Sequence, residues 1–242
     1  MSRGLGDVYK RQVVGQTKND SKLQAAINDM RQHITVIQEP LSGTATLFDH
    51  VLKNAEDTST LLPHLIIYIG DTLVSKPMRK FLRTATDAHQ WRISESGDIE
   101  DCFQHLTNII EGSPAAILAQ LANSITPNAA AKDYKELWDN ALKDAKEQTE
   151  KYEPRFSHGC AVRMFENELT ANGDDCAVHY ANSTAIRHAC RYAHHYVYCN
   201  RGVNGIEGSL STAAGFSLAT DKRVYCVIGD LSFFYDQNAL WN

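Results

Sequence analysis

Short apolar runs that alternate with helical patterns constrain the fold of this chain more than any other feature of its sequence. Three runs have the length and apolar content of buried strands, at 34–38, 65–69 and 90–94. Helical patterns separate them, after the cap signal Asn19-Asp20-Ser21 and across 46–54 and 76–85. Strands that alternate with helices predict a parallel sheet covered by helices on both faces. Two further helical patterns follow, at 99–110 and 114–124.

The alternation of strand and helix patterns begins again after a charged connector. Residues 131–153 carry an apolar stripe on one helical face and oppositely charged pairs four residues apart on the other. Beyond it, strands are predicted at 176–180, 197–199 and 224–228, and helices at 159–169, 183–192 and 209–218. The aromatic residues 233–235 are expected to pack in the core. The predicted fold class is therefore α/β, with two Rossmann-like parallel-sheet domains.

The sequence predicts four parts, namely a leader at 1–12, a central α/β domain at 13–125, a helical connector at 126–155 and a second α/β domain at 156–242. The leader lacks the apolar segment of a signal peptide and any strand or helix periodicity, so we expect it to be non-native and outside the fold. The last residues, Leu240-Trp241-Asn242, stop inside a helical pattern, so we expect a fragment of a longer protein.

Charge, hydropathy and cysteine spacing exclude several classes of protein. The chain has 29 acidic and 24 basic residues, a net charge of −5, which argues against nucleic acid or an anionic membrane as a partner. The longest apolar stretch, 61–69, is far shorter than the roughly 20 residues of a membrane span. No two of the six cysteines are spaced as C-x-x-C, which excludes zinc-ribbon and thioredoxin motifs. Their scatter predicts reduced thiols in the cytoplasm.

A hydrophobic run near the end of the chain leads into a glycine and an aspartate. The predicted strand is followed at once by Gly229, Asp230, Leu231 and Ser232. Ligands of open α/β sheets bind at the carboxyl ends of strands, and a carboxylate there suits a hard divalent cation that also holds diphosphate oxygens. Gly229 would let a ligand approach the backbone, and Ser232 would donate to a phosphate. The alternative is that Asp230 only caps a helix.

Two more motifs stand between a predicted strand and a predicted helix. The segment Asn200-Arg-Gly-Val-Asn-Gly-Ile-Glu-Gly208 is rich in glycine but is not G-x-G-x-x-G, so it predicts either a tight loop or a ligand loop. Arg201 would clamp an anion there. In Asn182-Ser-Thr-Ala-Ile-Arg187, Ser183 is a candidate N-cap, and Arg187 is either a surface charge or an anion ligand.

Lys76 opens a predicted helix after the strand at 65–69. A cation at a helix N-terminus opposes the helix dipole, so an anionic partner would explain it; the alternative is a solvated lysine.

The order and spacing of the three motifs at 182–187, 200–215 and 229–240 resemble one family, the thiamine-diphosphate enzymes named 2-succinyl-5-enolpyruvyl-6-hydroxy-3-cyclohexene-1-carboxylate synthase. The close match covers about 176–242. Residues 13–175 resemble the family's central domain, its connector and the start of its diphosphate-binding domain, mainly through Gly70-Asp-Thr-Leu-Val-Ser-Lys76.

The resemblance implies a transferase of menaquinone biosynthesis that decarboxylates 2-oxoglutarate and adds the succinyl unit to isochorismate. It implies thiamine diphosphate with Mg²⁺ or Mn²⁺ as cofactors, a cytoplasmic location, and a homodimer or homotetramer. The site lies between subunits, and the activating glutamate belongs to a domain that this chain lacks. We therefore expect a diphosphate-binding domain truncated at its C-terminus and a fragment without activity of its own, with no catalytic residue in it.

The resemblance also implies roles for residues around the cofactor. Asp230 would be the metal ligand, and Gly229, Leu231 and Ser232 would line the diphosphate. Ile206 would support the bent thiamine.

The substrate carboxylates would be bound by Ser183, Arg187 and Arg201, assisted by Asn182 and Lys76. Several cations are expected because both substrates are polyanions. Pro77 stands where the family often has a second basic residue, and Arg79 is a candidate replacement.

Two other functions stay open. One is another thiamine-diphosphate enzyme, of the acetohydroxyacid synthase or 2-oxoacid decarboxylase type, although those usually carry Gly-Asp-Gly where this chain has Leu231. The other is a non-catalytic nucleotide-binding α/β module, whose expected G-x-G-x-x-G fingerprint is missing.

Overall fold

The computed structural model describes residues 10–126, 128–173 and 175–241. These residues form two compact units. The first comprises 10–42 and 46–151, and the second comprises 43–45 and the chain from Tyr152 onward. The division after Lys151 falls inside the predicted connector of 126–155. Residues 1–9 of the predicted leader lie outside the described residues.

The first unit is a parallel sheet with helices on both faces, as predicted. Its elements are, in order, β1 (Lys10–Val14), α1 (Ser21–His33), β2 (Thr35–Gln38), α2 (Phe48–Asn54), β3 (Leu65–Ile69), α3 (Lys76–Arg83), β4 (His89–Ser94), β5 (Asn108–Glu111), α4 (Pro114–Ser124) and α5 (Ala129–Lys151). Short 3-10 helices lie at Pro40–Ser42 and Ser59–Leu61. The strand order is β2-β1-β3-β4-β5, and every pair is parallel.

The central strand β3 shows why both faces need cover. All five of its residues are buried, and successive side chains point to opposite faces. Ile66 and Tyr68 join the apolar cluster formed with α2, α3 and α5, whereas Leu65, Ile67 and Ile69 join the cluster formed with α1 and α4. Such a continuous apolar run is typical of parallel strands covered on two faces.

Two predictions for the first unit are wrong. The leader prediction excluded 10–12, but these residues belong to β1, which pairs with β2 and β3. Backbone ladders pair these residues with a strand on each side. Their sequence, Lys-Arg-Gln, is entirely polar and therefore lacks the apolar alternation that indicates a strand. The predicted helix at 99–110 is instead a loop followed by β5. Within this loop Gln104 has a positive φ of 70°, which no helix contains. The spacing of the apolar residues in this segment suggested a helix, but the last of these residues belong to β5. This strand lies at the edge of the sheet and is mostly exposed, so its side chains show no strand-like alternation.

The second unit is a smaller α/β arrangement. Its elements are α6 (His158–Asn172), β6 (Cys176–Tyr180), α7 (Thr184–Tyr192), α8 (Ser209–Ser217), β7 (Arg223–Val227), α9 (Asp230–Tyr235) and a 3-10 helix at Gln237–Trp241. Strands β6 and β7 are parallel and in register from Cys176 opposite Arg223 to Tyr180 opposite Val227.

Two predictions for the second unit are also wrong. The predicted strand 197–199 is reduced to an isolated bridge between Tyr198 and His179, because the chain turns into the glycine-rich loop directly afterwards. The aromatic residues 233–235 do not all pack in the core, since Phe234 and Tyr235 are 60% and 66% exposed. The six-residue helix α9 buries Ser232 instead.

The six cysteines all lie in the described part of the chain, and none of them forms a disulfide there. None of the helices described is long and apolar enough to cross a membrane.

Candidate functional site

The three motifs singled out in the sequence converge at the carboxyl ends of β6 and β7. The two strand ends are joined beyond the ladder, since the backbone N–H of Ala181 donates to the carbonyl of Val227 at 2.9 Å. Asn182 and Ser183 follow β6 after one residue, Ala181, and Gly229 and Asp230 follow β7 after Ile228. This is the edge at which ligands of open parallel sheets bind.

Asn182 ties the end of β6 to the glycine-rich loop. Its side chain is only 5% exposed, and its amide nitrogen donates to the carbonyls of Asn200 and, at 2.7 Å, Gly205. Its amide oxygen accepts from Arg201 Nη1 at 3.0 Å and from Cys199 Sγ at 3.5 Å. The loop that carries Arg201 is therefore fixed to the strand end by one buried side chain.

Ser232 ties the same loop to α9. Its hydroxyl is buried and donates to the carbonyl of Ile206 at 2.6 Å. The N–H of Ile206 donates to Glu207 Oε2 at 2.9 Å, so both backbone groups of Ile206 are satisfied. The predicted cofactor residue Ile206 is thus held from the helix that carries Asp230.

Asp236 continues this connection to α8. It is 6% exposed, and its two carboxylate oxygens accept from the backbone N–H of Ser211 at 2.7 Å and from the Ser211 hydroxyl at 2.5 Å. An anion in the first turn of a helix satisfies N–H groups that have no partner within that helix. Asp236 was not among the predicted site residues, because nothing in the sequence shows which helix a residue 25 positions away will cap.

Asp230 is the first residue of α9, and its side chain is exposed. The N-cap is Gly229, and Asp230 Oδ1 accepts only from the N–H of its neighbour Leu231, at 2.8 Å. Its Oδ2 has no hydrogen-bond partner among the described residues. A β-carbon built on Gly229 would meet no atom within 4 Å. The carboxylate therefore faces open space, which favours the ligand role over the alternative of a simple helix cap.

Ser183 occupies the predicted N-cap position of α7, but its side chain makes no capping hydrogen bond. Its φ is 72° and its ψ −122°, a conformation that costs a non-glycine residue about 1–3 kcal/mol and that clusters at functional sites. The hydroxyl is exposed, as is Arg187 one turn further along α7.

Lys76, the remaining predicted substrate residue, lies in the first unit. It is the exposed first residue of α3, after the N-cap Ser75. The buried Glu39 at the end of β2 accepts from the N–H groups of Val74 and Ser75, at 2.7 and 2.8 Å. The start of α3 is therefore fixed by a carboxylate that was not among the predicted site residues, although it directly follows the predicted strand 34–38.

The nucleotide-binding alternative predicts an open crevice in the first unit, where the strand order reverses between β1 and β3. There the loops after these strands bind each other instead. The N–H of Gly15 donates to Ile69 O at 2.9 Å, and that of Asp71 donates to Gln16 O at 2.7 Å. A β-carbon on Gly15 would lie 1.8 Å from Asp71 O. This close packing leaves no room for a phosphate between the two loops and disfavours that alternative.

A buried carboxylate elsewhere in the second unit binds two partners. Glu166 of α6 is 4% exposed and accepts from the hydroxyl of Tyr180, at 2.5 Å, and from His195 Nε2, at 2.8 Å. The hydrogen bond to Glu166 raises the pKa of His195, and burial raises the pKa of Tyr180 above its ordinary range. These contacts join α6 to β6 and to the segment after α7.

His195 is expected to make the stability of the second unit depend on pH. Because its pKa is raised on folding, protonated His195 stabilises the fold below its ordinary pKa of 6.5, and this contribution is lost as the pH rises through the raised value. Glu166→Gln keeps an acceptor for Tyr180 but removes the charge. The difference in unfolding free energy between wild type and Glu166→Gln, measured in urea, should therefore shrink as the pH rises.

The matched control for this experiment is His194→Gln, which alters the exposed neighbouring histidine. It should keep the pH dependence of the wild type. A difference between wild type and Glu166→Gln that stays constant with pH would show that the ion pair does not form.

Known proteins are similar to this chain over most of its length. No protein-family model matches the chain. A 2-succinyl-5-enolpyruvyl-6-hydroxy-3-cyclohexene-1-carboxylate synthase of Bacteroides thetaiotaomicron is 38% identical over 190 residues, which are 77% of this chain and 33% of the relative. A synthase of the same name from Bacteroides fragilis is 40% identical over 204 residues, 81% of this chain and 35% of the relative.

A third synthase of that name, from Porphyromonas gingivalis, is 33% identical over 248 residues, 95% of this chain and 42% of the relative. The chain thus spans between a third and about two fifths of these curated relatives. Their similarity reaches well beyond the three motifs and confirms the resemblance that the motifs predicted.

Proposed function

We propose that this chain, which belongs to the family of 2-succinyl-5-enolpyruvyl-6-hydroxy-3-cyclohexene-1-carboxylate synthases and covers about a third to two fifths of their length, is part of a transferase that performs the reaction they are named for. In this reaction 2-oxoglutarate is decarboxylated and its succinyl unit is added to isochorismate, a step of menaquinone biosynthesis. The observation that carries the proposal is the convergence of Asn182, Arg201, Ile206 and Asp230 at one sheet edge.

The residues at the end of β7 fit a metal-bridged diphosphate. Asp230 offers an exposed carboxylate oxygen, which Mg²⁺ or Mn²⁺ prefers as a ligand, and the space over Gly229 is open. Leu231, 59% exposed, lies beside them. The described residues contain no group of three or more acidic, histidine or cysteine side chains placed around a metal, so other ligands must complete its shell. Thiamine diphosphate, when bound, supplies the electron sink for decarboxylation.

Ile206 has the backbone stability that a cofactor support needs. Its carbonyl accepts from the buried Ser232, which ties Ile206 to α9, and its N–H donates to the exposed carboxylate of its neighbour Glu207. Ser232 donates its one hydroxyl proton to the carbonyl of Ile206, so it has no proton left to donate to a phosphate. Its effect on a bound diphosphate would therefore be indirect, through the position of the glycine-rich loop. The role we propose for Ser232 is thus to hold Ile206 close to the metal end of α9.

The basic and hydroxyl side chains near this edge match two substrates with several carboxylates. Arg201 bonds Asn182 through Nη1, and its Nε has no hydrogen-bond partner among the described residues, so the guanidinium keeps unused donors. Ser183 and Arg187 present exposed polar groups on α7. Lys76, an exposed cation of the first unit, is proposed separately to assist in substrate binding. Local cations make anion binding compatible with the acidic net charge.

An enzyme of the acetohydroxyacid synthase or 2-oxoacid decarboxylase type remains the alternative, since it would use the same cofactor. The curated relatives described above share the name of the first function and not of this one. We further propose a homodimer or homotetramer and a cytoplasmic location, the latter in keeping with six cysteines that form no disulfide in the described structure.

The test is an assay of the full-length protein that contains this chain. With thiamine diphosphate and Mg²⁺, it should consume isochorismate and release CO₂ from 2-oxoglutarate, and EDTA should stop both. Faster turnover of pyruvate than of 2-oxoglutarate would favour the alternative. Activity that is indifferent to thiamine diphosphate would exclude both enzymes.

A further inference from the structure

The hydrogen-bonding capacity of Asn182 is fully used inside the protein. A carboxamide has two N–H donors and two acceptor lone pairs on its oxygen. Asn182 donates to the carbonyls of Asn200 and Gly205 and accepts from Arg201 Nη1 and Cys199 Sγ. The partners fix its orientation, because carbonyls only accept and a guanidinium only donates. No donor or acceptor remains for a substrate.

These four bonds join two parts of the site that would serve different ligands. The carbonyls of Asn200 and Gly205 lie at the two ends of a six-residue segment, so one amide group closes this segment on itself. Gly205 directly precedes Ile206, and Arg201 lies within the segment. With its side chain 5% exposed, Asn182 makes these bonds away from water, where they are stronger.

We propose that Asn182 is a positioning residue that sets the placement of Arg201 and of the Gly205–Ile206 backbone together, and that it does not itself contact substrate. This inference rests on the proposed function, in which Arg201 binds a substrate carboxylate and Ile206 supports the cofactor. It revises the substrate-binding role that the family resemblance implies for Asn182. Loss of Asn182 would then act on substrate affinity only through Arg201.

A double-mutant cycle in the full-length protein distinguishes positioning of Arg201 by Asn182 from direct contact of Asn182 with substrate. Asn182→Ala should raise the KM for 2-oxoglutarate or isochorismate about 10-fold, as expected for a lost hydrogen bond to a charged group. In an Arg201→Ala background the same substitution should change that KM by less than about 2-fold, because contacting residues are not additive. KM effects that multiply in the double variant would overturn the proposal, since they would show a separate contact with substrate.

The isosteric variant Asn182→Asp tests the link to the loop. It keeps the acceptor for Arg201 but loses both donors to Asn200 and Gly205. Hydrogen–deuterium exchange of 200–206 should be faster in this variant and in Asn182→Ala than in wild type. Unchanged exchange in a folded variant would overturn the proposal.

The exchange measurement needs no turnover, so it separates failure of this inference from failure of the proposed function. A wild-type protein without synthase activity would refute the function, while faster exchange in the variants would still support the positioning of the loop. Asn172→Ala, at the exposed end of α6, is the control and should leave both KM and exchange unchanged.

Discussion

Asp230→Asn in the full-length protein is expected to lower turnover more than about 100-fold, because removal even of a residue that supports a metal ligand typically costs 10- to 100-fold. Asparagine keeps an oxygen for the N–H of Leu231, so the start of α9 should stay intact. What it loses is the negative charge at an exposed oxygen that no other described residue binds. Initial rates at varied Mg²⁺ and calorimetric titration with thiamine diphosphate measure the effect.

Asp221→Asn is the control for this prediction. Asp221 is exposed in the turn before β7, at the opposite end of the same strand from Asp230. Its substitution should leave turnover and cofactor binding unchanged. If Asp230→Asn bound thiamine diphosphate with the Mg²⁺ dependence of wild type, Asp230 would not be the metal ligand. The proposal that the end of β7 binds a metal-bridged diphosphate would then be refuted.

The motifs at 182–187 and 229–240 were predicted to meet because each follows a strand of the same sheet. The glycine-rich loop was placed with them on a predicted strand, 197–199, that the structure reduces to an isolated bridge. Parallel strands end at the same edge of a sheet, so strand-end residues must approach one another once the strand assignment is right. The bonds that join the motifs were not predictable. Asn182 to Arg201 and Ser232 to Ile206 depend on the path of a glycine-rich loop, and a linear pattern carries no signal for that path. The same holds for Asp236, which caps a helix earlier in the chain.

The fold followed from the sequence wherever burial decided the structure. Strand β3 was predicted at its exact bounds because every residue in it is apolar and buried. Strand β1 was missed because its first three residues are polar, although Val13 and Val14 at its end are fully buried. Strand β5 was missed because an exposed edge strand needs no apolar alternation. Periodicity reports an alternation of apolar and polar residues, so it does not detect a short strand whose residues are mostly polar or exposed.

Trp138→Ala is expected to destabilise the first unit by about 3–5 kcal/mol, the usual effect of deleting a fully buried aromatic side chain. Trp138 lies in α5 with none of its surface exposed, in the apolar cluster that also contains Tyr134 and Ala145. The small residue would leave a cavity between α5 and the sheet face it covers. Hydrogen exchange of the β3 amides (Leu65–Ile69) measures this unit separately from the second.

Leu137→Ala is the matched control, one residue away on the same helix. The apolar stripe predicted for 131–153 includes both residues, but Leu137 is 43% exposed. A partly exposed side chain loses less apolar contact on truncation and leaves no closed cavity, so its substitution should cost less than about 1 kcal/mol. If both variants changed β3 exchange equally, α5 would not pack on the sheet through Trp138. The connector would then be a solvated helix beside the first unit, because the tryptophan is the largest fully buried side chain that α5 contributes.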